Sequence, residues 1–272
     1  MFKLESEKGF SWITGGHLGW QDLFRPYVEA SEGLVTGPLT RWFTTNTFYR
    51  RPVVEKLPAL RPGALATSFP KQGRPLATIV PGPYTFSELA ENRSSEDHEI
   101  VASAISTFLA NAVRELAQAG VGLFIVHEPL LVVRPPDKKR EKEILGLYKP
   151  LEKALQSGNS LLWTYFGDAA PVMPLLKRLP VGGVGVDLSE TRPSELTSFV
   201  KTKSLGLGCI DARTSLPEDP RDIAEIARDL DGRLSPRGIV LGPSVPLDLL
   251  PWEPACVKAD VLSQSARLIR GE

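Results

Sequence analysis

The chain has 272 residues, and its 32 lysine and arginine residues balance 32 aspartate and glutamate residues, so the formal net charge is zero. Its 42% hydrophobic and 24% charged residues are typical of a folded globular protein, and the lack of a basic surplus argues against nucleic acid or an anionic membrane as a partner. We expect a cytoplasmic protein, because no signal-peptide pattern or bilayer-spanning apolar run is evident and two cysteines make no disulfide framework.

Short apolar runs recur along the chain. Residues 11–14 indicate a first strand, residues 20–30 a helix and residues 34–36 a weak second strand, whereas the proline-rich residues 50–74 are typical of a long connection. Six later runs are continuously apolar, as expected for strands buried on both faces of a parallel sheet. They are residues 76–80, 121–126, 160–166, 182–188, 204–210 and 238–241.

Helical patterns separate these runs. After the capping residues 94–97, apolar side chains recur at helical spacing from Ile100 to Leu116, and Gly120 ends the pattern. Further helices are predicted over residues 137–155, 171–178, 192–202, 219–230 and 257–270. Strands and helices in strict alternation predict an α/β fold, a (β/α)8 TIM barrel, as a single domain over residues 1–272. A doubly wound sheet shares the pattern, but residues 15–19 lack the dinucleotide-binding G-x-G-x-x-G spacing.

The carboxyl ends of barrel strands form the functional face, and this rule selects four candidate catalytic residues. His127 and Glu128 end one strand, and such a pair suits acid–base chemistry or metal binding, although inward packing of one side chain with helix capping or arginine pairing by the other is the favoured interpretation. Asp187 is a candidate base or a capping carboxylate. Asp211 lies beside Arg213, which either holds a substrate carboxylate or phosphate or forms a local ion pair.

Residues 40–49 interleave aromatic, hydroxyl and amide side chains in the order Thr-Arg-Trp-Phe-Thr-Thr-Asn-Thr-Phe-Tyr. This segment resembles the T-[KR]-W-F-x-T-N-x-x-Y segment of the cobalamin-independent methionine synthase family. Other segments resemble family motifs in the same order, namely residues 82–86, 116–132, 164–168, 186–188 and 205–213. The resemblance extends from residue 34 to the C-terminus, and it is closer to the N-terminal barrel of the family than to the C-terminal barrel.

Members of this family with both halves are two tandem (β/α)8 barrels, and the C-terminal barrel holds the zinc that activates homocysteine. The zinc-ligand positions of the family correspond here to residues 164–166, Asp187 and Ser244, and neither Cys209 nor Cys256 lies at one of them. The resemblance therefore implies that this chain has no metal site and binds no cofactor of its own. Zinc would belong to a separate C-terminal-type methionine synthase chain.

The resemblance implies an accessory component of methionine biosynthesis that binds a methyl-tetrahydrofolate or another methyl-pterin. Arg41 matches the basic residue that contacts the anionic polyglutamate tail, which arginine can hold bidentately. The other expected substrate-binding residues are Trp42, Asn46, His17, Tyr165 and Arg213.

Two alternatives remain open at this stage. One is a self-sufficient homocysteine methyltransferase with a non-standard site around His127, Glu128 and Asp187. The other is metal-free chemistry on an acidic substrate held by Arg213.

Overall fold

The structure is a computed structural model that describes residues 2–17, 19–66, 76–155 and 159–272. Nine strands are present in this part of the chain: β1 (Ser31–Arg41), β2 (Phe48–Leu60), β3 (Leu76–Pro81), β4 (Glu91–Asn92), β5 (Val121–His127), β6 (Asn159–Trp163), β7 (Gly183–Asp187), β8 (Ser204–Ile210) and β9 (Ile239–Pro243). The α-helices are α1 (Phe2–Glu7), α2 (Arg25–Glu29), α3 (Pro83–Leu89), α4 (His98–Gln118), α5 (Leu130–Val133), α6 (Lys138–Leu155), α7 (Met173–Leu176), α8 (Pro220–Leu234) and α9 (Trp252–Arg270).

The chain divides into two compact units. Unit one comprises Met1–Phe2, Ser11–Glu128 and Asp137–Ser160. Unit two comprises Lys3–Phe10, Pro129–Pro136 and Leu161–Glu272. The single domain over residues 1–272 stays a prediction.

A long antiparallel hairpin distinguishes unit one from the sequence-based prediction. Strands β1 and β2 pair from Ser31 opposite Leu60 to Arg41 opposite Phe48, and β4 adds a short parallel pairing to β2. The strand predicted at residues 34–36 forms as part of β1, but it belongs to this antiparallel hairpin and not to a parallel barrel sheet. The connection predicted over residues 50–74 was wrong for residues 50–60, which form most of β2, and its residues 67–74 lie outside the described part of the chain. Two of the prolines that indicated a loop, Pro52 and Pro58, are accommodated in β2 because the register is irregular between Thr36 and Leu39 and between Glu32 and Leu34, where ladder hydrogen bonds are interrupted.

Unit one also contains the parallel pair β3 and β5, in register from Leu76 opposite Val121 to Pro81 opposite His127. The predicted first strand is reduced to one parallel bridge between Ile13 and Leu76. Helix α4 packs against α6 and β2, and it buries ten residues along one side. The helical spacing read from the sequence thus predicted this core helix correctly.

By length and composition, helix α4 is long and apolar enough to cross a membrane, and among the described residues it is the single helix that meets this test. However, 56% of its apolar window is buried inside the protein. The core helix of a soluble protein passes the same test, so this helix is weak evidence for a membrane span.

Unit two is built on parallel pairings between neighbouring strands from β6 to β9, in sequence order. The predicted strands are confirmed here, but the helix predicted over residues 192–202 was wrong: only a short 3-10 turn forms at Pro193–Glu195. Arg233 on α8 donates to the carbonyl oxygens of Pro193 and Leu196. Backbone acceptors in this segment are therefore satisfied by a side chain instead of by a helix.

One tryptophan fills the space above three strands of unit two. An added Cβ at Gly185 of β7 would lie 2.2 Å from Cε3 of Trp163, and one at Gly206 of β8 would lie 2.5 Å from Cζ3. At Gly242 of β9 the corresponding distance to Cη2 is 3.0 Å. The indole Nε1 donates to the carbonyl oxygen of Ser244 at 3.3 Å. These three glycines form the platform of Trp163, which any side chain would disrupt.

Six of the eight predicted barrel strands are thus present as parallel strands. The chain has a mixed α/β fold, and the full (β/α)8 barrel stays a prediction.

We predict that Gly206→Ala lowers the free energy of unfolding by about 1–3 kcal/mol, because the added methyl overlaps the indole of Trp163 in a packed core. Gly232→Ala in α8 is the matched control, since nothing lies within 4 Å of its added Cβ, and it should stabilise the protein by about 0.5–1 kcal/mol. Urea unfolding measures both. If Gly206→Ala were as stable as the wild type, Gly206 would not be required for the packing of Trp163.

Candidate functional site

Glu128 lies at the end of β5, where unit one places its carboxylate against the first turn of α3. Its Oε1 accepts hydrogen bonds from the Tyr84 backbone N–H and the Tyr148 hydroxyl, both at 3.0 Å, and its Oε2 accepts from the Thr85 N–H at 2.8 Å. An added Cβ at Gly82 would lie 2.0 Å from Glu128 Cδ. Glycine at that position therefore lets a fully buried carboxylate cap α3, where anions are favoured.

Burial raises the pKa of Glu128 to about 7, although the hydrogen bonds from Thr85, Tyr84 and Tyr148 oppose this shift. The group therefore exchanges a proton near neutral pH. All its donors belong to the protein itself, and the side chain is not exposed to solvent. This geometry fits the capping interpretation of Glu128.

Two histidines of unit one lie close enough to interact electrostatically. Burial and, to a smaller extent, the nearby His17 lower the pKa of His127 to about 3. Burial also lowers the pKa of His17 to about 4. His17 Nε2 lies 3.3 Å from the Thr78 hydroxyl, and its ring centroid is 4.2 Å from that of Trp20. Both imidazoles are therefore neutral at physiological pH, which suits hydrogen bonding better than proton donation.

The family-like segment forms the tip of the β1–β2 hairpin. Arg41 Nη1 donates to the carbonyl oxygen of Thr45 at 3.0 Å and to Asn46 Oδ1 at 3.2 Å, and its guanidinium stacks on Phe48 at 5.5 Å. Trp42 is only 9% exposed, and it packs edge-on in an aromatic cluster with Phe24, Tyr49 and Phe43. The hairpin thus brings Arg41 and Asn46 together at the surface and places Trp42 in the core.

In unit two, Asp187 ends β7 as a fully buried carboxylate. It accepts hydrogen bonds from the Ser189 N–H at 2.9 Å and from the Phe166 N–H at 3.4 Å. Burial raises its pKa, and these hydrogen bonds and the charge of Arg213 act in the opposite direction. Tyr165, just before Phe166, is buried, and the two rings meet edge-on at 4.8 Å.

Arg213 is held between two acidic side chains. Its Nε donates to Asp211 Oδ1 at 2.9 Å, and its Nη1 pairs with Glu190. Of the two interpretations of Arg213 from the sequence, this arrangement matches the local ion pair with Asp211, and Glu190 is a second acidic partner. The backbone N–H of Asp211 in turn donates to Glu218, which pairs at 2.7 Å with the fully buried Lys258 of α9.

The residues at the family's zinc-ligand positions do not fit a zinc site. In the part of the chain that the structure describes, no group of three or more His, Cys, Asp or Glu side chains is placed to hold a metal ion. Burial raises the pKa of Cys209 to about 12, and its Sγ donates to the Gly242 carbonyl oxygen at 3.7 Å. Ser244 contributes only a buried hydroxyl, for which the described residues provide no hydrogen-bond partner. Both Asp187 oxygens already accept backbone N–H groups, so the described residues at these positions do not form a ligand set of the kind that zinc requires.

The sequence identified the polar residues at the strand ends but not the side chains that they contact. Tyr148, Glu190 and Lys258 come from helices or loops distant in sequence, and a single sequence carries no signal for those contacts. The platform of Trp163 did leave a signal, because glycines recur at alternate positions in residues 183–185 and 206–208.

We predict that acidification below pH 6.5 destabilises the protein through His17 and His127. Their pKa values are lower in the folded state than the value of 6.5 of an unperturbed histidine, so the unfolded state binds protons first and stability falls as the pH drops towards 4. His127→Asn should reduce the slope of unfolding free energy against pH, measured by urea unfolding between pH 7.5 and 4.5. An unaltered slope in His127→Asn would contradict the prediction.

Comparison with known proteins relates this geometry to one family. A family model described as cobalamin-independent synthase, N-terminal domain, matches residues 28–234. The 5-methyltetrahydropteroyltriglutamate–homocysteine methyltransferase of Bacillus mycoides is 27% identical over 240 residues, which are 83% of this chain and 31% of that protein. The protein of the same name from Lactococcus lactis is 28% identical over 221 residues, or 77% of this chain and 29% of its own length.

A solved structure gives the same picture for the fold. A B12-independent methionine synthase from Shewanella sp. W3-18-1, in complex with selenomethionine, superposes with a TM-score of 0.82 at 15% identity. The match covers 99% of this chain and 85% of that one. The chain spans about three tenths of the length of the curated relatives that it matches. The family model covers most of the chain, and the chain therefore belongs to the cobalamin-independent methionine synthase family, by its N-terminal domain.

Proposed function

We propose that this chain is an accessory component of methionine synthesis that binds a methyl-folate through its polyglutamate tail. It would act with a separate, zinc-bearing C-terminal-type chain that carries out homocysteine S-methylation. The match to the N-terminal domain supports this assignment, and so do the names of the relatives, which specify a pteroyltriglutamate donor. The cytoplasm is the proposed location.

The observation that carries the proposal is the state of Arg41. Both of its hydrogen bonds use Nη1, so they orient the guanidinium at the hairpin tip. Among the described residues, neither Nε nor Nη2 of Arg41 has a partner. These two nitrogens form the edge that binds a carboxylate bidentately. An exposed, oriented arginine of this kind suits a flexible tail with one carboxylate per glutamate unit.

The contribution of this chain is therefore binding and orientation. Arg41 would hold a tail carboxylate, and the Asn46 side chain, already bonded to Arg41, would keep the guanidinium in place. Of the other expected substrate-binding residues, Trp42 and Tyr165 are buried, His17 contacts Thr78 and Trp20, and Arg213 pairs with acids. We assign no metal-dependent step to this chain.

The alternative is a self-sufficient methyltransferase around His127, Glu128 and Asp187. The Shewanella structure favours it in one respect, because this chain covers 85% of that chain and so resembles it in size. Against it, Glu128 and Asp187 are each bonded to backbone N–H groups of this chain. A mixture of the chain, zinc, methyl-folate triglutamate and homocysteine should yield no methionine until the zinc-bearing chain is added. Methionine formed by this chain alone would establish the alternative.

We predict that Arg41→Gln weakens binding of methyl-tetrahydropteroyltriglutamate about tenfold, because a charged hydrogen-bond pair is lost at an exposed site. Binding of the monoglutamate should change much less, since its tail is shorter. Isothermal titration calorimetry measures both ligands.

Lys56→Gln is the control, because Lys56 is an exposed cation on the same hairpin but far from its tip. It should bind both ligands as the wild type does. Equal losses for the two ligands in Arg41→Gln, or no loss, would contradict a role of Arg41 in holding the tail.

A further inference from the structure

The outer half of the hairpin is positively charged, although the chain as a whole has no net charge. Residues 33–54 contain three arginines and no aspartate or glutamate. One of the three, Arg51, donates through Nε to the carbonyl oxygen of Leu89 at 3.2 Å, so its side chain is tied to the end of α3. The other two, Arg41 and Arg50, are exposed. A surface segment of one charge sign attracts ligands of the opposite sign.

The backbone of Arg50 is anchored, whereas its side chain is available. The Arg50 N–H donates to Asp22 Oδ2 at 3.0 Å, and Asp22 Oδ1 accepts the N–H groups of Phe24 and Arg25, both at 2.8 Å. The Asp22 carboxylate thereby joins β2 to the start of α2. Among the described residues, none accepts a hydrogen bond from the Arg50 guanidinium or forms an ion pair with it. Arg50 is therefore an exposed cation at a defined place, with no use in holding this part of the fold together.

Strand register places Arg41 and Arg50 diagonally on one face of the hairpin. Leu39 pairs with Arg50, and Arg41 pairs with Phe48. Paired residues share a face, as do residues two apart along a strand, and diagonal neighbours of this kind lie about 7–8 Å apart. We call these four residues the hairpin face. The intervening Tyr49 packs on the other side, in the aromatic cluster.

The second diagonal of the hairpin face is apolar. Leu39 is 58% exposed and Phe48 is 46% exposed, and the Arg41 guanidinium lies 5.5 Å from the centre of the Phe48 ring. In the γ-linked glutamate chain of a pteroyltriglutamate, each unit carries a carboxylate and a pair of methylene groups. The carboxylates suit the two arginines, and the methylene groups suit the exposed leucine and phenylalanine. The hairpin face therefore matches consecutive units of such a chain, and not a single carboxylate.

We infer that Arg50 is a second tail-binding residue, which holds the carboxylate of the glutamate unit next to the one held by Arg41. The inference rests on the proposed function. Once Arg41 holds one carboxylate, the chain keeps the next carboxylate close to Arg50, and a second contact that is linked in this way increases the affinity. A monoglutamate has no second unit and gains nothing from Arg50. The hairpin face thus makes binding depend on the length of the tail.

The test is isothermal titration calorimetry of the full chain with methyl-tetrahydropteroyl mono-, di- and triglutamate at low ionic strength. Arg50→Gln should weaken binding of the di- and triglutamate about threefold, as expected for an exposed ion pair, and should leave monoglutamate binding unchanged. Arg50→Lys should retain most of the affinity, because it keeps the charge. Lys56→Gln is the matched control, since it removes an exposed cation from the same strand about 20 Å away, and it should bind all three ligands as the wild type does.

The outcomes for this inference and for the proposed function are distinguishable. A wild-type chain that binds the triglutamate no more tightly than the monoglutamate would overturn the proposed function, and the inference with it. Length-dependent binding that Arg41→Gln abolishes and Arg50→Gln leaves intact would overturn the inference alone. A loss in Arg50→Gln that is equal for all three ligands would also overturn it, because Arg50 would then act away from the tail. Since Arg50→Gln keeps the backbone N–H that donates to Asp22, the variant should unfold at the same urea concentration as the wild type.

Discussion

The contact between Trp163 and three glycines is the constraint on which unit two depends. A tryptophan side chain buries a large apolar area, and here that area is accommodated only because β7, β8 and β9 carry no side chain beneath it. Gly185 lies two residues before Asp187, and Gly242 lies two residues before Ser244. The contact therefore also fixes the register at which these strands end, and with it the positions of the polar groups that follow.

In unit one, a carboxyl group and not an aromatic ring fixes how the neighbouring elements pack. The Glu128 carboxylate joins the end of β5 to the first turn of α3 and to Tyr148 of α6. A buried carboxylate is costly unless its oxygens are hydrogen-bonded, and these contacts satisfy both. Glu128, which the sequence marked as a candidate for acid–base chemistry, thus holds β5, α3 and α6 together. The residue that we propose for ligand binding, Arg41, lies at the hairpin tip, where it is oriented but exposed. A hydrogen-bonded interior and an exposed, oriented arginine are what the proposed role, binding and presenting a ligand, requires.

The sequence predicted the parallel strands because burial on both faces produces continuous apolar runs, which few other structures share. It did not predict the hairpin. Pro52 and Pro58 resemble loop residues, and their tolerance within β2 depends on pairing irregularities that only the fold creates. The strand-end rule located Glu128 and Asp187. Their roles depended on partners such as Tyr148, whose distance in sequence leaves no periodic or compositional trace.

The carboxyl group of Glu128 also changes the proton balance of unfolding. Around pH 5.5, unfolding lets His17 and His127 take up nearly two protons, since their pKa values in the folded protein are about 4 and about 3. Glu128, with a pKa of about 7 when folded, gives up one proton in the same step. The net uptake is then roughly one proton instead of two, which halves the dependence of stability on pH. During mild acidification, the proton that Glu128 releases on unfolding therefore offsets about half of the loss in the free energy of unfolding that His17 and His127 cause.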